Sequence, residues 1–254
     1  MGWYRKAFGN SYLKIYRNRN EQEAVEALHL IESVYQPLLA QPRTESLRIL
    51  DLACGQGRYS RLLANLGHSV AGLDLSEELL ASARSRLEKE PVRDGGKLWF
   101  VRADKRLIPF CGSFDLVINM FTSFGYFHED EENRKVLLSV ACALRPGGRF
   151  LIDYLNRNRV IENLVERDVH TQGELTVTQS RRISPDGLRV EKNIRMEGPR
   201  GSDSWSESVR LYSTREMEEM LYRSGLEVEK LIGSYRGEPF AHDSARLILT
   251  GLKK

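Results

Sequence analysis

From Leu47 to Tyr154, short apolar runs alternate with helix-patterned stretches, and this alternation constrains the fold more than any other property of the chain. Leu47–Leu52, Ser69–Leu73, Leu98–Val101, Phe114–Asn119 and Phe150–Tyr154 read as strands. Arg58–Leu66, the stretch opened by Ser76-Glu77-Glu78, and Glu131–Leu144 carry helical patterns, the second with acidic residues in its first turn. Strands joined through helices run parallel and need helices on both faces of the sheet. The near-continuous apolar character of Phe114–Asn119 fits a strand buried on both sides. Two further strands, Leu226–Ile232 and Ala245–Leu252, follow a capped helix starting at Ser213-Thr214 and bring the sheet to seven. The expected class is therefore α/β, with a Rossmann-like, mostly parallel sheet.

The pattern changes after about Glu166. Leu175–Ile183, Arg189–Arg195 and Ser204–Tyr212 are β-prone with roughly alternating polarity, and Ser184-Pro185-Asp186-Gly187 reads as a turn between the first two. This predicts an antiparallel β insertion after the fifth strand, above the carboxyl edge of the sheet, where open α/β folds bind ligands. Ahead of the sheet, Asn20-Glu21-Gln22-Glu23 caps an expected helix with Val25, Leu28, Ile31, Val34 and Tyr35 on its apolar face. Gln36-Pro37 is expected to break it. Three units result: an arm and cover over 1–44, a core over 45–165 and 213–254, and an insertion over 166–212 that covers the acceptor pocket.

Composition narrows the function classes. No apolar run approaches the ~20 residues of a membrane helix, and Met1-Gly2-Trp3-Tyr4-Arg5-Lys6 carries no signal-type apolar region, so no membrane partner and a cytoplasmic setting are expected. Cys54, Cys111 and Cys142 are too few and too scattered for a disulfide framework or a Cys-based zinc site. The five histidines (29, 68, 128, 170 and 242) show no metal-ligand spacing, so no metal is expected. A net charge of +3 with intermixed signs lacks the basic stripe of a nucleic-acid protein, so nucleic acid is disfavoured as a partner. A homodimer is compatible with all of this.

The informative stretch is Ile49-Leu50-Asp51-Leu52-Ala53-Cys54-Gly55-Gln56-Gly57-Arg58. A strand enters a turn whose glycines let the backbone approach a ligand, and the next helix presents unpaired N–H groups. No Lys-Ser or Lys-Thr follows, which excludes a nucleoside triphosphate loop. The third glycine of a dinucleotide fingerprint would fall at Ser60. Asp51 would repel a pyrophosphate and welcome an ammonium. Asp74, at the end of the second strand, can accept both hydroxyls of a ribose. The implied ligand carries an amino-acid end and a ribose but no phosphate, which describes S-adenosylmethionine. Each acid also has a plainer account: Asp51 and Asp74 as helix caps, Asp104 in a solvated turn, Asn119 as a strand end.

With these residues the chain resembles the class I S-adenosylmethionine-dependent methyltransferases. Asp51-Leu52-Ala53-Cys54-Gly55-Gln56-Gly57 is similar to that family's first motif, departing at Ala53 where glycine is usual. Asp74 matches the ribose-binding acid and Arg102-Ala103-Asp104 the acid near the adenine amino group. Phe114–Asn119 and Leu144-Arg145-Pro146-Gly147-Gly148 resemble the fourth strand and the turn before the fifth, within a match over about residues 45–155. The resemblance implies an antiparallel last strand. It also implies a cofactor site of Asp51, Ala53, Gly55, Gly57, Asp74, Leu75, Asp104 and Asn119.

Two outlying segments resemble bacterial small-molecule methyltransferases, among them amino-sugar N-methyltransferases. One is the tyrosine-bearing arm Phe8–Tyr16 and the other the loop Phe121–His128. A small-molecule methyl acceptor is the implied partner. In-line methyl transfer needs the nucleophile aligned at about 3–3.5 Å and water excluded. A cationic sulfonium favours aromatic walls, which suits Tyr12, Tyr16 and Tyr126. An amine acceptor needs only to be neutral, whereas a hydroxyl or carbon acceptor would need a base, for which Tyr126 and His128 are the candidates. Competing classes read less well. A nucleic-acid or protein methyltransferase of the Asn-Pro-Pro-Tyr type would not carry Asn119-Met120-Phe121-Thr122, and a nicotinamide oxidoreductase would want the fuller glycine fingerprint. A non-catalytic S-adenosylmethionine-binding protein on the same fold is the non-enzyme alternative.

Overall fold

The computed structural model describes residues 21–40, 46–199 and 201–254. A seven-stranded sheet holds β1 (Arg48–Leu52), β2 (Ser69–Asp74), β3 (Lys97–Arg102), β4 (Phe114–Asn119), β5 (Leu144–Leu155), β10 (Leu226–Ile232) and β11 (Arg246–Lys253) in the order β10-β11-β5-β4-β1-β2-β3. β1 lies between β2 and β4 and is parallel to both. β11 is antiparallel to β5 on one side and to β10 on the other, as the resemblance implied for the last strand. All six residues of β4 are buried, which accounts for its unbroken apolar pattern.

Successive residues of the central strands feed two opposite cores, because side chains alternate across a sheet. Leu50, Leu52, Leu73 and Val117 pack with α4 (Asp130–Ala143) and α6 (Thr214–Arg223). Ile49, Val70, Leu116 and Ile118 pack with α1 (Glu21–Leu39) and α2 (Arg58–Asn65). α3 (Glu77–Lys89) follows β2, its first turn closed by Ser76 Oγ, which accepts from Leu79 N at 3.2 Å. α6 opens with a reciprocal Ser213–Glu216 capping box, as its sequence predicts.

The second sheet holds β6 (Arg167–Gln172), β7 (Leu175–Ile183), β8 (Arg189–Gly198) and β9 (Gly201–Arg210), all antiparallel in sequential order. The short α5 (Arg157–Glu162) leads into it. β7 matches its expected bounds. β6 was missed because Arg-Asp-Val-His-Thr-Gln has no apolar periodicity; it is an edge strand held by its ladder to β7.

Two expectations about α1 are corrected. The helix runs through Pro37 to Leu39. In the last turn the missing proline N–H forgoes one ladder bond only, and Ala40 N still donates to the Gln36 carbonyl at 3.1 Å. The buried face is Ala27, Leu30, Ile31, Val34, Tyr35 and Leu38, whereas Val25 is 48% exposed. Val25 borders the cavity described next.

Candidate functional site

A cavity of about 770 Å³ opens at the carboxyl ends of β1 to β4. Its first wall is the glycine turn. The turn is pinned by Cys54 N donating to Leu73 O at 3.0 Å and Gly57 N donating to Cys54 O at 2.9 Å. Ala53, Gly55 and Gly57 have φ of 59°, 57° and 70°, all left-handed. Alanine at 53 therefore bears a backbone cost of roughly 1–2 kcal/mol that glycine would escape. Gly57 is the N-cap of α2, and a Cβ there would lie 2.6 Å from the Phe100 ring. A Cβ on Gly72 would meet the same ring at 2.7 Å. Phe100 thus fixes how closely the turn lies against β2 and β3.

Three carboxylates line this wall. Asp51 is buried and accepts from Ser60 Oγ at 2.6 Å; burial pushes its pKa up to about 6 against that bond. Asp74 Oδ2 accepts from Gly55 N and Oδ1 from Ser76 N, both at 2.9 Å. Burial still raises its pKa above the ordinary value. The cap of α3 is Ser76 and not Asp74; Asp74 instead ties the glycine turn to the start of that helix, and a carboxylate with about four acceptor positions keeps some for a ligand. Burial also works on Asp104, but three bonds from Arg106 prevail and hold its pKa below the ordinary value.

Lys105 went unnoticed in the sequence. Its ammonium donates to the Ser123 carbonyl and sits 4.1 Å from the centre of the Tyr126 ring. Burial lowers its pKa to about 7, opposed by Asp74 and Asp104. No sequence signal distinguishes it from a solvated lysine.

The opposite wall is the loop after β4. Phe121 and Thr122 are non-glycine residues with φ of 54° and 55°. They are held there by Asp153: Phe121 N donates to Asp153 Oδ2 at 2.7 Å and Thr122 N to the Asp153 carbonyl at 3.0 Å. The fully buried Asp153 also accepts from Tyr235 Oη at 2.5 Å and Arg246 Nη1 at 3.0 Å. Farther along, Arg189 of β8 donates to the carbonyls of Phe127 at 3.1 Å and Gly125 at 3.2 Å, while its Nε donates to Ser208 Oγ at 2.7 Å. Asn133 grips Phe127 through both backbone groups. A buried arginine of the inserted sheet thus bonds directly to this loop.

The structure brings Asp51, Ala53, Gly55, Asp74, Leu75, Asp104 and Tyr126 to one cavity. Gly57 closes the turn behind it, and Asn119 lies buried with Nδ2 donating to the Leu52 carbonyl at 2.8 Å, tying β4 to β1. His128 is not among the lining residues; it is exposed and faces Glu129 at 3.1 Å. Loop residues two apart need not share a face, and Phe127, held by Asn133, turns the chain outward between Tyr126 and His128. Tyr12 and Tyr16 lie outside the described residues.

S-adenosylmethionine fits what is present. Two buried carboxylates with raised pKa values would be relieved by a cation, the turn is pressed on Phe100 at Gly57 and left-handed at Gly55, and no lysine follows the turn to recruit phosphate. Residues 49–148 match the methyltransferase domain family. The chain is 30% identical to a dTDP-3-amino-3,6-dideoxy-alpha-D-glucopyranose N,N-dimethyltransferase of Streptomyces fradiae over 202 residues, 77% of this chain and 75% of that one. It is 28% identical to a dTDP-3-amino-3,4,6-trideoxy-alpha-D-glucopyranose N,N-dimethyltransferase of Streptomyces venezuelae, covering 89% and 92%. An S-adenosylmethionine-dependent methyltransferase structure from Clostridium acetobutylicum superposes with a TM-score of 0.81 at 18% identity, covering 96% of this chain and 99% of that one, and so shares the fold. The chain belongs to the class I S-adenosylmethionine-dependent methyltransferases, and it is an enzyme with S-adenosylmethionine as its methyl donor.

Proposed function

We propose that this enzyme methylates an amine on a small-molecule acceptor, and that the two cavity walls divide the work. The glycine turn with Asp51 holds the amino-acid end of the donor, Asp74 its ribose, and Asp104 with Leu75 the adenine side. The loop Phe121–Phe127 forms the acceptor side, with residues 166–212 as its cover and the arm within 1–44 as a second cover. When bound, S-adenosylmethionine supplies a methyl group on a cationic sulfur, so the leaving group needs no acid. The chain's own task is to align and to exclude water. The Tyr126 ring offers the electron-rich surface a cation prefers.

Among the described residues no histidine borders the cavity, and the choice of an amine rests on the one buried base that does. Lys105, with its pKa near 7, can take the proton an ammonium acceptor must lose. Both Streptomyces relatives are N,N-dimethyltransferases by name, in keeping with this reading. Among the described residues no helix is long and apolar enough to cross a membrane; the cytoplasm and a homodimer are the setting and assembly we propose. The test supplies methyl-labelled donor and fractionated extract to the purified enzyme. Label in a small metabolite that gains one methyl on nitrogen is expected. Label confined to RNA or protein would overturn the acceptor class, and label on oxygen or carbon would overturn the amine.

A further inference from the structure

The sequence scatters three cysteines over almost ninety positions, but the fold gathers two of them. Cys142 lies in the last turn of α4 and Cys111 in the loop before β4, with the sulfurs 2.9 Å apart. Both are exposed free thiols. Their backbones are laced together on the same side: Gly112 N donates to the Cys142 carbonyl and Ser113 N to the Ala143 carbonyl, each at 2.8 Å. Ser113 Oγ donates back to the Cys111 carbonyl at 2.9 Å, which fixes the turn carrying the first thiol. The two sulfurs are therefore neighbours because of tertiary structure, and a disulfide needs them to close to about 2.0 Å.

We propose that Cys111 and Cys142 form a peroxide-responsive dithiol site that closes reversibly to an intramolecular disulfide. The two thiols are not equivalent. Cys142 ends a helix, where the partial negative charge disfavours a thiolate, and its S–H donates to Cys111. That hydrogen bond first, then burial, raises the Cys142 pKa. Cys111 is thus the attacking sulfur. Its thiolate displaces hydroxide from hydrogen peroxide to give a sulfenic acid. The Cys142 sulfur then attacks the Cys111 sulfur, expelling the oxygen as water. In sum, two thiols and one peroxide give one disulfide and two waters, the two sulfurs supplying the two electrons that break the O–O bond. A small thiol such as dithiothreitol reverses the closure by exchange. Cys54 supplies the internal contrast: burial first, then Asp51 and Asp74, keep its thiol protonated. The pair sits at the amino edge of the sheet, opposite the cavity, so the site is independent of the methyl-transfer reading.

The test treats the full-length protein with hydrogen peroxide at neutral pH, alkylates it, and maps peptides by mass. The expected product is one cross-linked peptide pair containing Cys111 and Cys142, lighter by two hydrogens than the reduced pair and absent after dithiothreitol. Cys111→Ser and Cys142→Ser should each abolish it, while Cys54→Ser should leave it in place. Alkylation of both Cys111 and Cys142 after peroxide, separate oxidation of the two to sulfinic acids, or a disulfide between two chains would each overturn the proposal.

Discussion

The two walls of the cavity are built by different means. The wall at β1 and β2 is local: Asp51, Ala53, Gly55 and Gly57 follow one another, and Asp74 reaches back only to Gly55 and forward to Ser76. The wall after β4 is assembled from distant parts of the chain. Asp153 comes from β5, Tyr235 and Arg246 from the last hairpin, and Arg189 from the inserted sheet. A local wall tolerates little change in its own residues but depends on few others. A remote wall can be altered by substitutions that never touch a ligand, because the loop after β4 is coupled to the packing of the carboxyl edge.

The contrast predicts which property each substitution damages. Asp74→Ala should have the largest effect, weakening S-adenosylmethionine binding roughly 100-fold or more in calorimetry, because two charge-assisted hydrogen bonds of ~1.5–3 kcal/mol each are lost. Equal affinity in wild type and variant would remove Asp74 from the donor site. Asp153→Asn should instead cost stability, about 3–5 kcal/mol, because Arg246 loses its buried partner. Chemical denaturation reads that loss, and donor affinity of the folded variant should stay within about threefold. If donor affinity collapses as well, the walls are not separable.

Arg189→Lys keeps a positive charge but cannot span two loop carbonyls and Ser208 at once. A roughly tenfold fall in kcat is expected, with donor affinity little changed, as a displaced wall misaligns the acceptor. Unchanged kcat would make the clamp a packing feature only.

The effect of pH is of similar size. Asp51 is raised to about 6 from 3.8, so the folded chain holds this proton more tightly than the unfolded one. Its contribution to stability is full below pH 4 and lost as pH rises through 6. Donor binding runs the other way, since an ammonium needs the carboxylate, and affinity should rise roughly tenfold from pH 5 to pH 7. Lys105, neutralised near pH 7, adds in the same direction. Lys105→Met should remove that upper part of the rise, and Asp51→Asn should flatten the lower part.

This difference in construction also explains how much could be read in advance. The sheet, the inserted β segment and the first wall were legible because each is written in neighbouring residues or in a steady alternation, whereas the antiparallel last strand came only from the family resemblance. Asp153 and Arg189 were not, because an acid in an apolar strand and an arginine among many carry no mark until the partners 93 and 62 positions away are known. The same blindness hid Lys105 and the Cys111–Cys142 contact, and a resemblance over the loop Phe121–His128 could not tell that Tyr126 lines the cavity while His128 does not. Pro37 misled in the opposite sense: a strong local signal was overridden where the helix had only one ladder bond left to lose.

The position of β11 has a consequence in time. The strand nearest the end of the described chain is not at an edge; it is wedged between β5 and β10. During synthesis the flank of β5 emerges long before the strand that will cover it, and Arg246, which bonds Asp153 and reaches Glu23 on α1, arrives later than every partner it joins. The first cavity wall can form while the ribosome is still at work. The second is finished only when Arg246 is in place, later in the chain than every residue of the glycine turn.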